Sequence, residues 1–221
     1  MTAPVRQLPL PLAARPSLDM ADFVPDPSNE AALVWIAEPG TWPGGRLALA
    51  GPAGVGKTHL LRAFAAGYRQ LEGPALTEAL ALAPPGPTAL DEWSAAPEAA
   101  LFHLINRCAE AGAPLLLAAR EPPARWPAAL PDLASRLRAT TSVTIAEPSD
   151  RLLEALLAKH LADRQLPCPP PVAAFLLARL PRRADAVAAA VAALDASALA
   201  ARAPLTRPFC ARVLGWQETQ G

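Results

Sequence analysis

Eight consecutive residues, Gly51-Pro52-Ala53-Gly54-Val55-Gly56-Lys57-Thr58, carry the clearest chemistry in this chain, and they fit G-x-x-x-x-G-K-[ST] at every fixed position. Glycines so spaced let successive backbone N–H groups curl around phosphate oxygens. A helix starting near Lys57 turns its positive end toward them, and the Lys57 ammonium reaches the outer phosphates. Thr58 then offers its hydroxyl to Mg²⁺. The chain has only two lysines, Lys57 and Lys159, among 20 basic residues, so a drift toward arginine has spared this position. A compact ammonium on a flexible stem fits there where a forked guanidinium does not. The bland alternative is a Gly-rich turn with an incidental lysine. Mg²⁺ needs a second hard ligand, and Asp91 is placed to supply it, with Glu92 beside it to orient an attacking water. Asp91-Glu92 would equally serve to cap the helix that follows.

These groups work only if a strand and a helix hold them. Arg46-Leu47-Ala48-Leu49-Ala50, brief, apolar and fenced by glycines, reads as a buried strand, and residues 57–70 as the helix after it. A first helix is expected over residues 28–38, ended by Pro39-Gly40. Residues 72–87 are punctuated by Pro and Gly, and Thr88-Ala89-Leu90 ahead of Asp91 reads as a short strand. Leu101, Leu104, Ile105 and Cys108 have helical spacing within residues 97–112, and residues 114–119 look like a central parallel strand. The alternation predicts an α/β fold with a parallel sheet. Past Thr144-Ile145 the pattern becomes all helical. Pro148-Ser149-Asp150 starts a helix whose Leu152, Leu153, Leu156, Leu157 and Leu161 share a face, and three more helices are expected over residues 171–180, 183–201 and 206–216. The expected organisation is a Pro- and Leu-rich extended tail over residues 1–20, an α/β nucleotide-binding domain over 21–147 and a helical lobe over 148–221.

The 221 residues suffice for one large domain or a core domain with a small lobe. Twenty Lys and Arg against twenty Asp and Glu give no net charge, so no global field draws the chain onto nucleic acid or an anionic membrane. Hydrophobic content of 52% excludes a disordered chain, although much of it is alanine. Cys108, Cys168 and Cys210 are odd in number, far apart and in no C-x-x-C pair, which suggests neither a disulfide framework nor a zinc site and favours a reducing cytoplasm. No signal-peptide core is visible, and residues 114–119 and 186–201 read as too short or, at Asp195, too polar to span a bilayer. His59, His103 and His160 have no acid or nucleophile beside them in sequence, and the five tryptophans read as core or interface residues.

Several segments together resemble the bacterial DnaA-related AAA+ proteins, and within them the Hda type. Phe23-Val24 with Ser28-Asn29 resembles the segment that approaches the adenine in that family, and residues 51–61 its phosphate loop and following helix. Leu130-Pro131-Asp132-Leu133-Ala134-Ser135-Arg136-Leu137, preceded by Pro122-Pro123, resembles the segment carrying the arginine finger, with Arg136 at the finger and Arg138 its nearest substitute. Gln7-Leu8-Pro9-Leu10-Pro11-Leu12 resembles the motif by which such proteins dock on the DNA polymerase sliding clamp. A Pro-stiffened peptide loses little entropy on laying its side chains in a groove. The resemblance implies a P-loop NTPase (AAA+) parallel-sheet core with a small C-terminal all-helical lid. It further implies ADP or ATP with Mg²⁺ as cofactors, the ADP form being the working one, and the sliding clamp and DnaA as partners. DnaA itself continues past the lid into a helix-turn-helix domain where this sequence ends, so no sequence-specific DNA binding is expected; self-association stays open.

Two positions depart from that pattern. The strand matching Leu115 to Ala119 usually ends in a polar sensor of the γ-phosphate, and Ala119 stands there with a methyl. The lid helix normally carries a sensor arginine where alignment puts Asp185, a carboxylate that would repel phosphate unless Arg182, one turn earlier, supplies the cation. A nucleotide-bound switch with weak turnover is expected, acting on ATP held by DnaA through Arg136. The rivals are a clamp- or DnaA-binding adaptor without finger chemistry and a free-standing ATPase.

Overall fold

The structure, a computed structural model, describes residues 23–216. Five strands form one all-parallel sheet in the order β2-β3-β4-β1-β5: β1 (Arg46–Ala50), β2 (Arg69–Glu72), β3 (Thr88–Asp91), β4 (Leu115–Ala119) and β5 (Thr141–Thr144). Helices α1 (Glu30–Ala37) and α2 (Lys57–Phe64) cover one face, and α3 (Glu78–Leu82), α4 (Glu98–Glu110) and α5 (Pro131–Arg138) the other. The strands show why. Leu47 and Leu49 of β1 and Leu116 of β4 enter the core under α1 and α2, while Ala48, Leu115 and Leu117 enter the opposite core with Trp93, Leu101 and Leu104. Successive side chains point to opposite faces, so a strand covered on both sides has to be apolar throughout.

The edge strands explain what the pattern hid. Strand β2 reads Arg-Gln-Leu-Glu and β5 Thr-Ser-Val-Thr, each with its outer residues partly in water, so neither carries an apolar run. Neither was legible as a strand. Helix α2 stops at Phe64 instead of continuing to Gln70, because Gly67 takes φ +91 in a turn closed by Tyr68 N–H on the Ala65 carbonyl (2.8 Å). That turn frees Arg69–Glu72 to pair with β3.

Past β5 the chain forms α6 (Asp150–Asp163), α7 (Pro170–Leu177), α8 (Ala184–Ala201) and α9 (Arg207–Val213), which bury a separate apolar cluster of Leu153, Leu157, Leu161, Leu176, Val191, Leu194 and Phe209. Ser149 caps α6 by accepting from Leu152 N–H (3.1 Å), and Thr206 caps α9 by accepting from Phe209 N–H (3.3 Å). Helix α8 corrects one expectation. Its 18 residues, with a mean hydropathy of 1.6, are long and apolar enough by length and composition to cross a membrane. In this fold Val187, Val191 and Leu194 of that helix are instead buried against the rest of the lobe. Leu194 is fully buried, so Leu194→Ala is expected to destabilise the chain by about 2–5 kcal/mol, through lost transfer energy and the cavity left behind. Urea unfolding checks this.

Candidate functional site

The turn between β1 and α2 is built from backbone that only glycine takes easily. Gly51 has φ +149, Gly54 +78 and Gly56 +105. A Cβ on Gly51 would run into the Ile145 carbonyl, and one on Gly54 into the side chains of Asp185 and Arg183. Pro52 and Ala53 are exposed at the tip, whereas Val55 is buried beneath. Lys57, the first residue of α2, is only 9% exposed, and its ammonium donates to the carbonyls of Gly51 (2.8 Å) and Pro52 (2.7 Å). Burial pushes its pKa down; Asp91 and Glu92 pull it up and the Arg120 charge adds to the lowering.

Across the sheet, β3 ends in Asp91, whose carboxylate accepts from the Thr58 hydroxyl (2.6 Å) and from Glu92 N–H (2.9 Å). Glu92 sits in the left-handed region at φ +48, an uncommon conformation for a side-chain-bearing residue and one concentrated at functional sites. Gly73, after β2, backs it so closely that a Cβ there would strike the Glu92 carbonyl. The structure therefore brings Gly51, Pro52, Ala53, Gly54, Val55, Gly56, Lys57, Thr58, Asp91 and Glu92 together at the carboxyl ends of β1 and β3. Thr58 and Asp91 make a pair of hard oxygen donors suited to Mg²⁺. Among the described residues no group of three or more His, Cys, Asp or Glu side chains could hold a metal alone, so such an ion would take its other ligands from phosphate and water.

Ala119 ends β4 with its methyl buried. The next residue, Arg120, is exposed; its carbonyl accepts from Gly51 N–H (3.1 Å), and it lines a cleft with Gly51, Pro52, Ala53, Arg125 and Thr144. The lid meets the loop from the other side. Ala184 N–H donates to the Gly54 carbonyl (3.0 Å), and Asp185, packed against Gly54, is held by Arg183 Nε (2.9 Å). That bond, opposed by burial, keeps the Asp185 carboxyl below the usual carboxylate range. Arg182 does not supply the expected cation, since it pairs with Asp150 and the Pro148 carbonyl (3.4 Å) at the start of α6. The arginine at the loop is Arg183. It precedes α8 in extended backbone (φ −143, ψ 135), so helical spacing carried back from α8 selects the wrong neighbour.

The segment ahead of α1 also lies at this end of the sheet. Phe23 packs against His59 of α2 with the rings tilted and their centroids 5.5 Å apart, and it faces Gly56. Asp26 accepts from Ser28 Oγ (2.6 Å) and N–H (3.1 Å) and from the Ser149 hydroxyl, which ties the start of α6 to the core. Burial opposes its ionisation, but these donors outweigh it and hold the carboxyl below its ordinary range.

Arg136 is elsewhere. It occupies the last turn of α5, with its guanidinium over the Phe102 ring (5.4 Å to the centroid) and its carbonyl accepting from the Thr140 hydroxyl (2.9 Å), just ahead of β5. Thr141 pairs with Leu47 near the start of β1, so Arg136 lies at the opposite end of the sheet from the phosphate loop, about 16 Å away along the strand. Arg138 is exposed on the same turn. Gln7, Leu8, Leu10, Pro11 and Leu12 lie outside the described residues.

Residues 150–214 match the family described as "Hda, lid domain". An uncharacterized protein of Haemophilus influenzae is 31% identical over 186 residues, covering 74% of this chain and 79% of its own length. The chain belongs to the DnaA-related AAA+ proteins of the Hda type. Solved structures show the same fold. Domain III of Thermotoga maritima DnaA superposes with a TM-score of 0.76 at 17% identity, over 91% of this chain and 97% of that one. AMPPCP-bound DnaA from Aquifex aeolicus gives 0.64 at 18%, over 80% of this chain and 65% of that one. Thermotoga maritima RuvB gives 0.68 at 15%, over 90% and 72%. Within this Hda-type chain, Arg183 and Arg120 are site neighbours that sequence reasoning missed; for Arg120 the only signal was its place after Ala119.

The Asp26 network has a testable sign. A carboxyl depressed on folding contributes stability that is present above the unfolded value, about 4, and lost as pH falls through the folded one. Wild type is therefore expected to exceed Asp26→Asn in stability at pH 7, with the difference shrinking below pH about 4. Urea unfolding of both chains at pH 7, 5 and 3.5 measures it.

Proposed function

We propose that this chain is a nucleotide-bound regulator of DNA replication initiation. It docks on the DNA polymerase sliding clamp through Gln7, Leu8, Leu10, Pro11 and Leu12, and it stimulates ATP hydrolysis by DnaA through Arg136. The observation that carries this reading is the separation of Arg136 from the chain's own phosphate loop by the full length of β1. A guanidinium there cannot serve a nucleotide bound in the same chain. It is free to enter the reaction centre of another.

Residues 51–58 and Asp91 would hold ADP or ATP, with Thr58 and Asp91 as the protein's ligands for Mg²⁺. The loop geometry and the Thr58–Asp91 pair support this. Bound Mg²⁺ would neutralise phosphate charge. Lys57 supplies a second positive charge from below the loop, and Glu92 stands where it can orient water. The buried methyl of Ala119 offers no hydrogen bond at the end of β4, which supports slow turnover in the chain itself. In trans, the Arg136 guanidinium would meet charge developing on the γ-phosphate of DnaA-bound ATP. A finger of this kind accelerates hydrolysis by about 10³–10⁵.

The decisive measurement is ATP hydrolysis by DnaA with this chain and DNA-loaded clamp. Arg136→Ala is expected to lower the stimulated rate by about 10³ or more while clamp binding is retained. Stimulation surviving in that variant removes Arg136 from the reaction. A rate unaltered by the wild-type chain identifies an adaptor, and turnover by the chain alone a free-standing ATPase.

A further inference from the structure

Arg46, the first residue of β1, is a charged side chain only 7% exposed. Among the described residues it forms no ion pair with a carboxylate. Its Nη1 donates to the Gly44 carbonyl (3.2 Å), in a turn where Gly44 takes φ +61 around the guanidinium. Its Nε donates to the Thr140 hydroxyl (3.4 Å), and that hydroxyl in turn donates to the carbonyl of Arg136 (2.9 Å). Thr140 is itself buried, at 6% exposure. A continuous chain of hydrogen bonds thus runs from the start of β1 to the backbone of the residue proposed as the finger.

We infer that Arg46, acting through Thr140, is a positioning residue that fixes the last turn of α5 and so the place from which Arg136 projects. This rests on the finger reading of Arg136. A bare helix end would leave the Arg136 carbonyl to water, because the last carbonyls of a helix lack partners within it. Here that carbonyl is tied to a strand paired on both edges, which cannot shift without disrupting the sheet. Charge acts in the same direction. Arg46 is buried without a counter-charge beside it, and burial together with the Arg136 charge lowers its pKa. Repulsion between the two guanidiniums disfavours folding of Arg136 back onto Arg46, and its guanidinium lies over the Phe102 ring instead. A finger contributes only if it arrives in the right place, and misplacement by about 1 Å costs as much as 10²-fold.

The test uses the hydrolysis assay above with Arg46→Met, Arg46→Lys, Thr140→Val and Thr140→Ser, and with Arg136→Ala as reference. Arg46→Met and Thr140→Val are each expected to lower the stimulated plateau rate about ten- to a hundredfold, leaving unchanged the concentration that gives half-maximal stimulation. Thr140→Ser and, in part, Arg46→Lys restore the plateau, and combining Arg46→Met with Thr140→Val costs no more than either alone. A merely structural loss would weaken half-saturation and plateau together and would not be rescued by serine. If Arg136→Ala abolishes stimulation while Arg46→Met and Thr140→Val match wild type, the positioning role is overturned and the finger stands. If Arg136→Ala itself stimulates normally, both fall. A partner-free measurement covers variants that fold poorly: in the wild-type chain the Arg46 Nε–H should exchange with solvent slowly, and faster in Thr140→Val. Fast exchange in wild type overturns the inference.

Discussion

Strand β1 is the constraint on which the rest depends. It is five residues long, buried along its whole length, and paired with β4 on one edge and β5 on the other. Such a strand has no freedom to slide, since a one-residue slip would turn Leu47 and Leu49 away from the core they fill. Its carboxyl end therefore delivers Gly51 to a fixed point beneath Ile145, and the phosphate loop starts there. Its amino end fixes Arg46 with the same rigidity. One short element thus separates the chain's own nucleotide site from the arginine proposed to act on another molecule, and it sets the distance between them.

Two polar contacts are among those that join the helical lobe to this frame. Ala184 N–H reaches the Gly54 carbonyl, and Ser149, the cap of α6, donates to Asp26 ahead of α1. Both are polar contacts at the ends of helices, and the first is made directly to the phosphate-loop backbone. Asp185, unfavourable to phosphate as a lone carboxylate, is partly neutralised by Arg183, so the electrostatic cost at the loop is smaller than the residue alone suggests.

A chain with no net charge still concentrates cations locally. Lys57 lies under the loop, Arg120 and Arg125 border the cleft beside it, and Arg46 and Arg136 sit near one another at the far end. Lys57 and Arg46 are buried, whereas Arg120 and Arg125 stand in water, so these local fields arise from placement and not from net charge. Salt screens exposed charges over about 10 Å, so cations held in partly dry surroundings keep influence that scattered surface arginines lose.

How much of this was legible depended on whether the signal was local. The phosphate loop, the central strands β1 and β4, α4 and the four lobe helices announced themselves, because glycine spacing, apolar runs and helical periodicity are written in consecutive residues. So was Asp91, by its place at the end of an apolar stretch. Strands β2 and β5 were not, because an edge strand faces water on one side and reads as loop; the end of α2 hid behind a single glycine. Arg182, a conditional substitute for the sensor cation, turns to Asp150 instead, because the backbone just before α8 is extended and the helical period does not apply to it. The sequence by itself determined which residues could bind phosphate and which arginine matched a finger. Only the tertiary structure decided that Arg183 rather than Arg182 meets the loop, that Arg46 reaches Arg136 through Thr140, and that Arg136 and the loop lie at opposite ends of the sheet. Arg46 and Thr140 are 94 positions apart, and Arg183 and Gly54 lie farther apart still, so no local pattern encodes these relations.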